Sequence, residues 1–276
     1  MGFRINTNVQ SLRAQSSLNQ VRQEQDNALS QLSSGKRINS ASDDAAGLAI
    51  SEKLKGQIAS SKQAKRNASD GISVVQTAEG GLNEIGTIIT RLRELSIQAS
   101  NDTVGDVERG FSDKEFQNLT AEIERIAQTT DFNGVKLLNG EGSDMHFQIG
   151  LKGDENSILT FASGDNAVTA NDLDVSGMNV LSKDDARDNL ETLDKAMEKI
   201  SGTRASLGAL QNRMQSTMRN IDIQTENLSA ANSRIRDTDV AVASAELTRT
   251  NILAQANTTV LSQANSTPQT ALRLIG

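Results

Sequence analysis

The chain has 276 residues and a net charge of −7, with one proline, one histidine, six phenylalanines and no Cys, Trp or Tyr. The missing cysteines exclude disulfides, thiolate metal sites and cysteine nucleophiles; a single His excludes every multi-histidine metal centre; the acidic balance leaves no electrostatic footprint for nucleic acid. So few aromatic rings cannot fill an ordinary globular core, and the apolar surface must lie in narrow aliphatic stripes on long helices packed side by side. No apolar run approaches the roughly eighteen residues that span a bilayer, so no membrane contact is expected. The start, Met1-Gly2-Phe3-Arg4-Ile5-Asn6, carries no apolar signal-peptide core, so no cleaved leader is expected.

The two ends resemble each other. No Asp or Glu occurs before Glu24 or after Glu246, and both ends are rich in Asn, Gln, Ser and Thr. Alone, such segments are predicted to be marginally ordered; together, or with copies of themselves, they form helices whose apolar stripes meet. The first helix is predicted over about 6–33, with Val9, Leu12, Leu18, Val21, Leu29 and Leu32 at helical spacing, ending at Ser33-Ser34-Gly35. A loop runs to Ser42, a natural N-cap with Asp43 and Asp44 in the first turn. A helix about 87 Å long follows to about Ser100, with Val75, Ala78, Leu82, Ile85, Ile89 and Leu92 in 3–4 alternation as a coiled-coil seam. After a loop over 101–111, the capping box Ser112-Asp113-Lys114-Glu115 opens a shorter helix to about Thr129.

The period then changes. Asn133-Gly134 marks a tight hairpin turn, and His146 to Leu151 and Ile158 to Phe161 read as short strands, so 131–165 is a small β region and 163–181 a loop. Ser182-Lys183-Asp184-Asp185 is a second capping box. Behind it Leu193, Ile200, Leu207, Met214, Ile221, Leu228, Ile235 and Val242 recur every seventh residue, beside a mixed row that includes Arg204 and Gln211. One apolar row beside a partly polar one predicts a helix over 183–236 in a multi-helix bundle, antiparallel to the earlier helix of similar length. The last segment, 239–276, carries Leu247, Ile252, Leu253, Val260, Leu261, Leu272, Leu274 and Ile275, and Thr267-Pro268 reads as a helix restart or a kink. The fold class is mainly α: long antiparallel helices in a coiled-coil-like bundle with a small β-hairpin region.

Candidates for chemistry resolve to structure. His146 has no partner cluster, Asp43-Asp44 cap a helix, and Asp165, Asp172 and Asp174 lack the spacing of a calcium loop. Gly140-Glu141-Gly142 opens no helix and is too short to cradle phosphate. No catalytic, metal or cofactor residue is assigned, no cofactor is expected, and the protein is read as no enzyme.

Four segments resemble the bacterial flagellin family: Leu32 to Gly47 (LSSGKRINSASDDAAG), Arg66 to Ser73 (RNASDGIS), Phe132 to Leu138 (FNGVKLL) and Ile252 to Asn257 (ILAQAN). The resemblance covers about 1–140 and 183–276. It implies a subunit exported to the flagellum, which polymerises with other flagellin subunits into the helical filament for swimming motility. A hook–filament junction protein and a secreted coiled-coil adhesin are the alternatives. It further implies an inner D0 region of 1–41 and 239–276, an outer D1 region of 42–181 and 182–238, and no further outer domains. Bundle-core residues are then Val75, Leu82, Ile85, Ile89, Leu92 and the row from Leu193 to Val242. Terminal assembly falls to Val9, Leu12, Val21, Leu261, Leu272, Leu274 and Ile275. Implied partners are an export chaperone at the C-terminal segment and filament cap and hook-junction proteins. Thr90 to Leu95 also resembles the segment read by the animal innate-immune flagellin receptor, with Arg91, Leu95 and Glu115 at the matching positions; packing between subunits, with Leu95 in the core, is the plainer role for them.

Overall fold

The computed structural model describes the backbone of residues 7–275 and the side chains of 7–267. Five helices and four short strands follow in the order α1 (Val9–Ser34), α2 (Ala45–Ala99), α3 (Asp106–Thr129), β1 (Asp131–Phe132), β2 (Val135–Lys136), β3 (Met145–Gln148), β4 (Ile158–Phe161), α4 (Lys183–Arg236) and α5 (Val240–Ile275). They divide into two compact units, Ala59–Thr225 and the pair of segments Met1–Ile58 with Glu226–Gly276.

In the unit Ala59–Thr225, the aliphatic stripe of α2 supplies one wall of the core. Val75, Ala78, Leu82, Ile85, Ile89 and Leu92 are all fully buried. Phe116, Ile123 and Ala127 of α3 and Leu193, Ala196, Ile200 and Leu207 of α4 complete it. Ion pairs Arg93–Asp194 (2.7 Å), Arg204–Glu79 (3.7 Å) and Lys65–Asp222 (2.7 Å) join positions that rise along α2 and fall along α4, so the two helices are antiparallel. These pairs are exposed and add little stability; they fix register between aliphatic stripes that would otherwise slide.

Asn133 and Gly134, with φ of 51° and 81°, form the predicted β1–β2 turn, whose left-handed backbone suits the strand twist. β3 and β4 pair antiparallel from Met145↔Phe161 to Gln148↔Ile158. Ile149 and Leu159 of this hairpin join Ala68 and Met214 in a satellite cluster. Gly71 permits that approach: a Cβ there would stand 2.7 Å from the Met214 methyl and 3.2 Å from the Phe147 ring.

Several expectations are corrected or refined. Residues 163–181 form the expected loop, but it is not confined to the surface: Val168, Leu173, Val175 and Val180 are buried in the main core. The α3 side chains satisfy this strap's backbone. Asp113 accepts from Val180 N (3.0 Å), Glu124 accepts from Ala170 N (3.0 Å), and Gln117 donates to Met178 O (2.8 Å). Next, α3 begins at Asp106, before the Ser112 box, whose hydroxyl instead donates to Glu108 O inside the helix. The buried Arg109 makes the earlier start possible by donating to Ala99 O (2.9 Å) and Asn101 O (3.2 Å), which closes the α2–α3 turn.

The third correction concerns the sevenfold row. Leu193, Ile200, Leu207, Met214 and Ile221 are buried, Leu228 and Ile235 are half-buried, and Val242 is 65 % exposed. Residues 237–239 interrupt the helix, so Val242 belongs to α5 and the phase of α4 does not carry over to it. α5 itself is continuous through Thr267 and Pro268, which removes the helix restart. Both the Ser182 cap, which accepts from Asp185 N at 3.1 Å, and the bounds of α4 match the sequence expectation.

Met214→Asp buries an unpaired carboxylate and is expected to cost several kcal/mol. Val242→Asp is expected to change stability by less than about 0.5 kcal/mol. Thermal melting distinguishes them; equal melting temperatures for the two variants would overturn the placement of the row.

Candidate assembly surfaces

The second unit brings the two ends of the chain together. Asn8 Nδ2 donates to Ala264 O (2.8 Å), Gln25 to Asn251 Oδ1 (2.7 Å), and Arg249 pairs with Glu24 (3.4 Å), so α1 and α5 run antiparallel. Their contact is made mostly of small side chains, with Leu18 and Val21 as the larger members. Ala14, Leu18, Val21 and Ala28 of α1 are buried, as are Ala243, Thr250 and Ala264 of α5. The buried Thr250 hydroxyl is satisfied by Glu246 O (3.0 Å) of its own helix. Small residues let two helices approach closely but bury little apolar area, so the larger side chains are left outside.

Those outside include two of the predicted assembly residues, Val9 (48 % exposed) and Leu12 (58 %), together with Leu29, Ile252 and Val260. Leu261 is half-buried. Val21 is corrected: it is buried within the α1–α5 pair, where the seam of α1 passes through Leu18 and Val21. The side chains of Leu272, Leu274 and Ile275 lie outside the described residues.

A rigid connector joins α1 to α2. Gly35, at φ 67°, ends α1 in the left-handed conformation. Lys36 and Asp237 then form an isolated antiparallel bridge, with Arg37 N donating to Arg236 O (2.7 Å) and Thr238 N to Gly35 O (3.1 Å). The Arg37 guanidinium donates to Ile235 O (2.7 Å) at the end of α4, and Ile38 is buried. Asp43 does not enter the first turn of α2, as the sequence suggests; it accepts from Asn39 N (2.9 Å) and Ser40 N (2.8 Å). Asp44, rather than Ser42, caps α2 by accepting from Gly47 N (2.8 Å), and the helix starts at Ala45. Arg236 donates to Ser51 Oγ (3.3 Å) and pairs with Glu52, holding the Glu52 carboxyl below its usual value. Asp239 starts α5 by accepting from Ala241 N (2.9 Å).

In the unit Ala59–Thr225, Arg91 lies between Glu94 and Glu115, 2.9 Å from each. Both Arg91 and Glu115 are exposed, whereas Leu95 is 2 % exposed and belongs to the main core. The structure therefore joins two of the three receptor-like residues on one surface and places Leu95 in the core. Among the described residues no cluster of three or more His, Cys, Asp or Glu is arranged to hold a metal, and no helix is long and apolar enough to cross a membrane.

Arg109, the Asp44 cap and the Arg236–Glu52 pair escape sequence reading. The signal for Asp44 was present, since an Asp three residues before Gly47 is as good a cap as Ser42. Arg109 and Arg236 carry none, because their partners are backbone oxygens or residues far along the chain.

Long helices packed along aliphatic seams, with large apolar side chains left exposed on the thinly packed terminal pair, define a helix-bundle protein. Residues 5–143 match the bacterial flagellin N-terminal helical region and residues 190–275 the bacterial flagellin C-terminal helical region. A flagellin of Halalkalibacterium halodurans is 42 % identical over 271 residues, spanning 98 % of this chain and 99 % of that one. The flagellar filament core protein flaB2 of Brachyspira hyodysenteriae is 39 % identical over 284 residues, with 98 % and 99 % covered. The crystal structure of Bacillus cereus flagellin superposes with a TM-score of 0.51 at 29 % identity, covering 60 % of this chain and 94 % of that one. The chain belongs to the bacterial flagellin family.

Two backbone N–H groups hold the Asp43 carboxyl below its usual value, Ser40 contributing most and Asn39 next. A depressed folded-state value means that this support is present above the ordinary 3.8 and is lost as the pH falls through the lower folded value. The Asn39 and Ser40 amide signals in NMR are expected to titrate together with a midpoint below 3.8. Asp43→Ala is expected to speed their hydrogen exchange at neutral pH by about tenfold, the loss of roughly one hydrogen bond. A midpoint above 3.8 would contradict the assignment.

Proposed function

We propose that this chain is a structural subunit, and no enzyme, that is exported to the flagellum and polymerises into the bacterial flagellar filament for swimming. The observation that carries this reading is the contrast between the two units. The Ala59–Thr225 unit has a large buried core and scattered exposed apolar side chains such as Val107 and Phe111, while the α1–α5 pair, with few buried residues of its own, leaves Val9, Leu12, Leu29, Ile252 and Val260 uncovered. Apolar side chains of that size on a pair with little internal core are suited to burial by further copies, at about 25 cal/mol for each Å² removed from water. Near-full-length identity to a flagellin and to a flagellar filament core protein favours the filament over the hook–filament junction and over a coiled-coil adhesin.

On this reading the helices α1 and α5 form the inner D0 layer, and α2, α3, the β region and α4 the D1 layer around it. Identical subunits stacked through two different surfaces give open helical polymers, which is the geometry a filament requires. An export chaperone holds the C-terminal segment before secretion, and cap and hook-junction proteins meet the two ends of the growing polymer. Where an animal innate-immune flagellin receptor meets the monomer, Arg91 and Glu115 are the groups available to it, with Leu95 supporting them from the core.

Deleting 262–276 is expected to leave a soluble monomer with α2 and α4 intact by circular dichroism, unable to extend filaments or to bind the chaperone. Electron microscopy of cell-surface filaments and of seeded assembly reads the result. Normal filaments from the truncated chain would overturn the assignment of that segment. Absence of filaments from the full-length chain on motile cells would overturn the filament reading itself.

A further inference from the structure

A groove of about 460 Å³ lies between α1 and α5, lined by Gln10, Arg13, Ser17, Asn257, Val260 and Gln263 among others. Arg13 is its only charged lining residue, and no carboxylate within the chain reaches it among the described residues. Cations on a surface this poor in charge are exceptional: α1 and the described side chains of α5 carry only Arg13, Arg22, Glu24, Asp26, Glu246 and Arg249. Glu24 and Glu246 are both engaged by Arg249 in their own chain. Asp26 is exposed and makes no ion pair among the described residues.

Resting on the filament reading, we infer that the groove of one copy receives the ridge of α1 from a second copy, with Arg13 of the first paired to Asp26 of the second. The helix geometry supports a contact between copies and forbids one within a chain. Thirteen residues separate the two positions, about 20 Å along α1 and about 220° around it. They therefore lie on nearly opposite faces of the same helix. A contact between two different faces is heterologous, which propagates, whereas a two-fold contact of one face with itself closes at a dimer. Two parallel copies of α1 offset by thirteen residues bring Asp26 level with Arg13, while Arg22 comes level with Val9, one turn (about 6 Å) from the level of Arg13. Leu29, 55 % exposed and one turn beyond Asp26, gives the ridge an apolar neighbour, as Val260, 55 % exposed, does for the groove.

Seeded elongation of the purified full-length chain tests this. Arg13→Glu and Asp26→Arg, each made alone, create a like-charge contact at every junction and are expected to raise the critical concentration by about tenfold or more. Both sites are exposed or groove-lining, and circular dichroism checks that helicity is unchanged. The double variant restores the attraction with reversed sign and is expected to return to within about threefold of the wild type, with the same weakening in high salt. An equimolar mixture of the two single variants is also expected to copolymerise, because alternation of the two makes every junction an opposite-charge contact. A single variant that assembles like the wild type would overturn the pairing, as would a double variant and a mixture that both fail. Wild-type chain that does not elongate would overturn the filament reading instead.

Discussion

A chain with almost no aromatic residues has to obtain its burial from length. In the unit Ala59–Thr225 that constraint is met by one seam, in which Val75 to Leu92 of α2 faces Leu193 to Leu207 of α4. Each aliphatic side chain contributes only about 1.5–3 kcal/mol when buried, so the seam needs many of them in phase over many turns. The rest follows from keeping that seam closed. α3 covers one flank with Phe116, Ile123 and Ala127, the strap 168–180 covers another with Val168, Leu173, Val175 and Val180, and the β3–β4 hairpin closes on Met214. Phe116 of α3 and Phe161 of β4 are two of the largest fully buried side chains.

The same constraint has a different solution in the second unit. α1 and α5 meet through alanines and single larger residues, so their contact is close but thin. Specificity there falls to polar groups. Asn8, Gln25, Arg249 and Glu24 set the antiparallel register, and the Lys36–Asp237 bridge with the Arg37 cap fixes where α1 ends relative to α4. A terminal pair held this way keeps large apolar side chains such as Val9, Leu12 and Val260 on the outside, where folding of the chain does not cover them.

Periodicity made much of this legible. The seam of α2, the buried run of α4 from Leu193 to Ile221, the bounds of α4, the Ser182 cap and the Asn133-Gly134 turn all follow from local chemistry with a definite period or geometry. What stayed hidden depends on partners far along the chain. The strap 163–181 has no period, because irregular backbone is buried only where α3 happens to offer Asp113, Gln117 and Glu124. Arg109 extends α3 by about two turns through carbonyl oxygens that no sequence pattern marks. Val242 misled because a sevenfold repeat can continue in sequence after the helix carrying it has ended. At the terminal surfaces, Val9 and Leu12 were readable as apolar and helical, but only the coordinates separate them from Val21, which lies on the seam.

The sparse charges of the terminal helices decide more than their number suggests. In a crowded surface each ion pair is screened and replaceable, and most are worth less than about 1 kcal/mol. Along the α1–α5 pair there are too few charges for substitution by a neighbour, so each one marks a unique height on the helix. Glu24 with Arg249 marks the height at which the chain's own ends match. A groove lined by uncharged polar residues around one guanidinium marks another, and a uniform stripe of aliphatic side chains could not do so, because it packs nearly as well one turn higher or lower. Aliphatic contacts therefore supply the driving force in both units, and isolated charges choose the register at which that force acts.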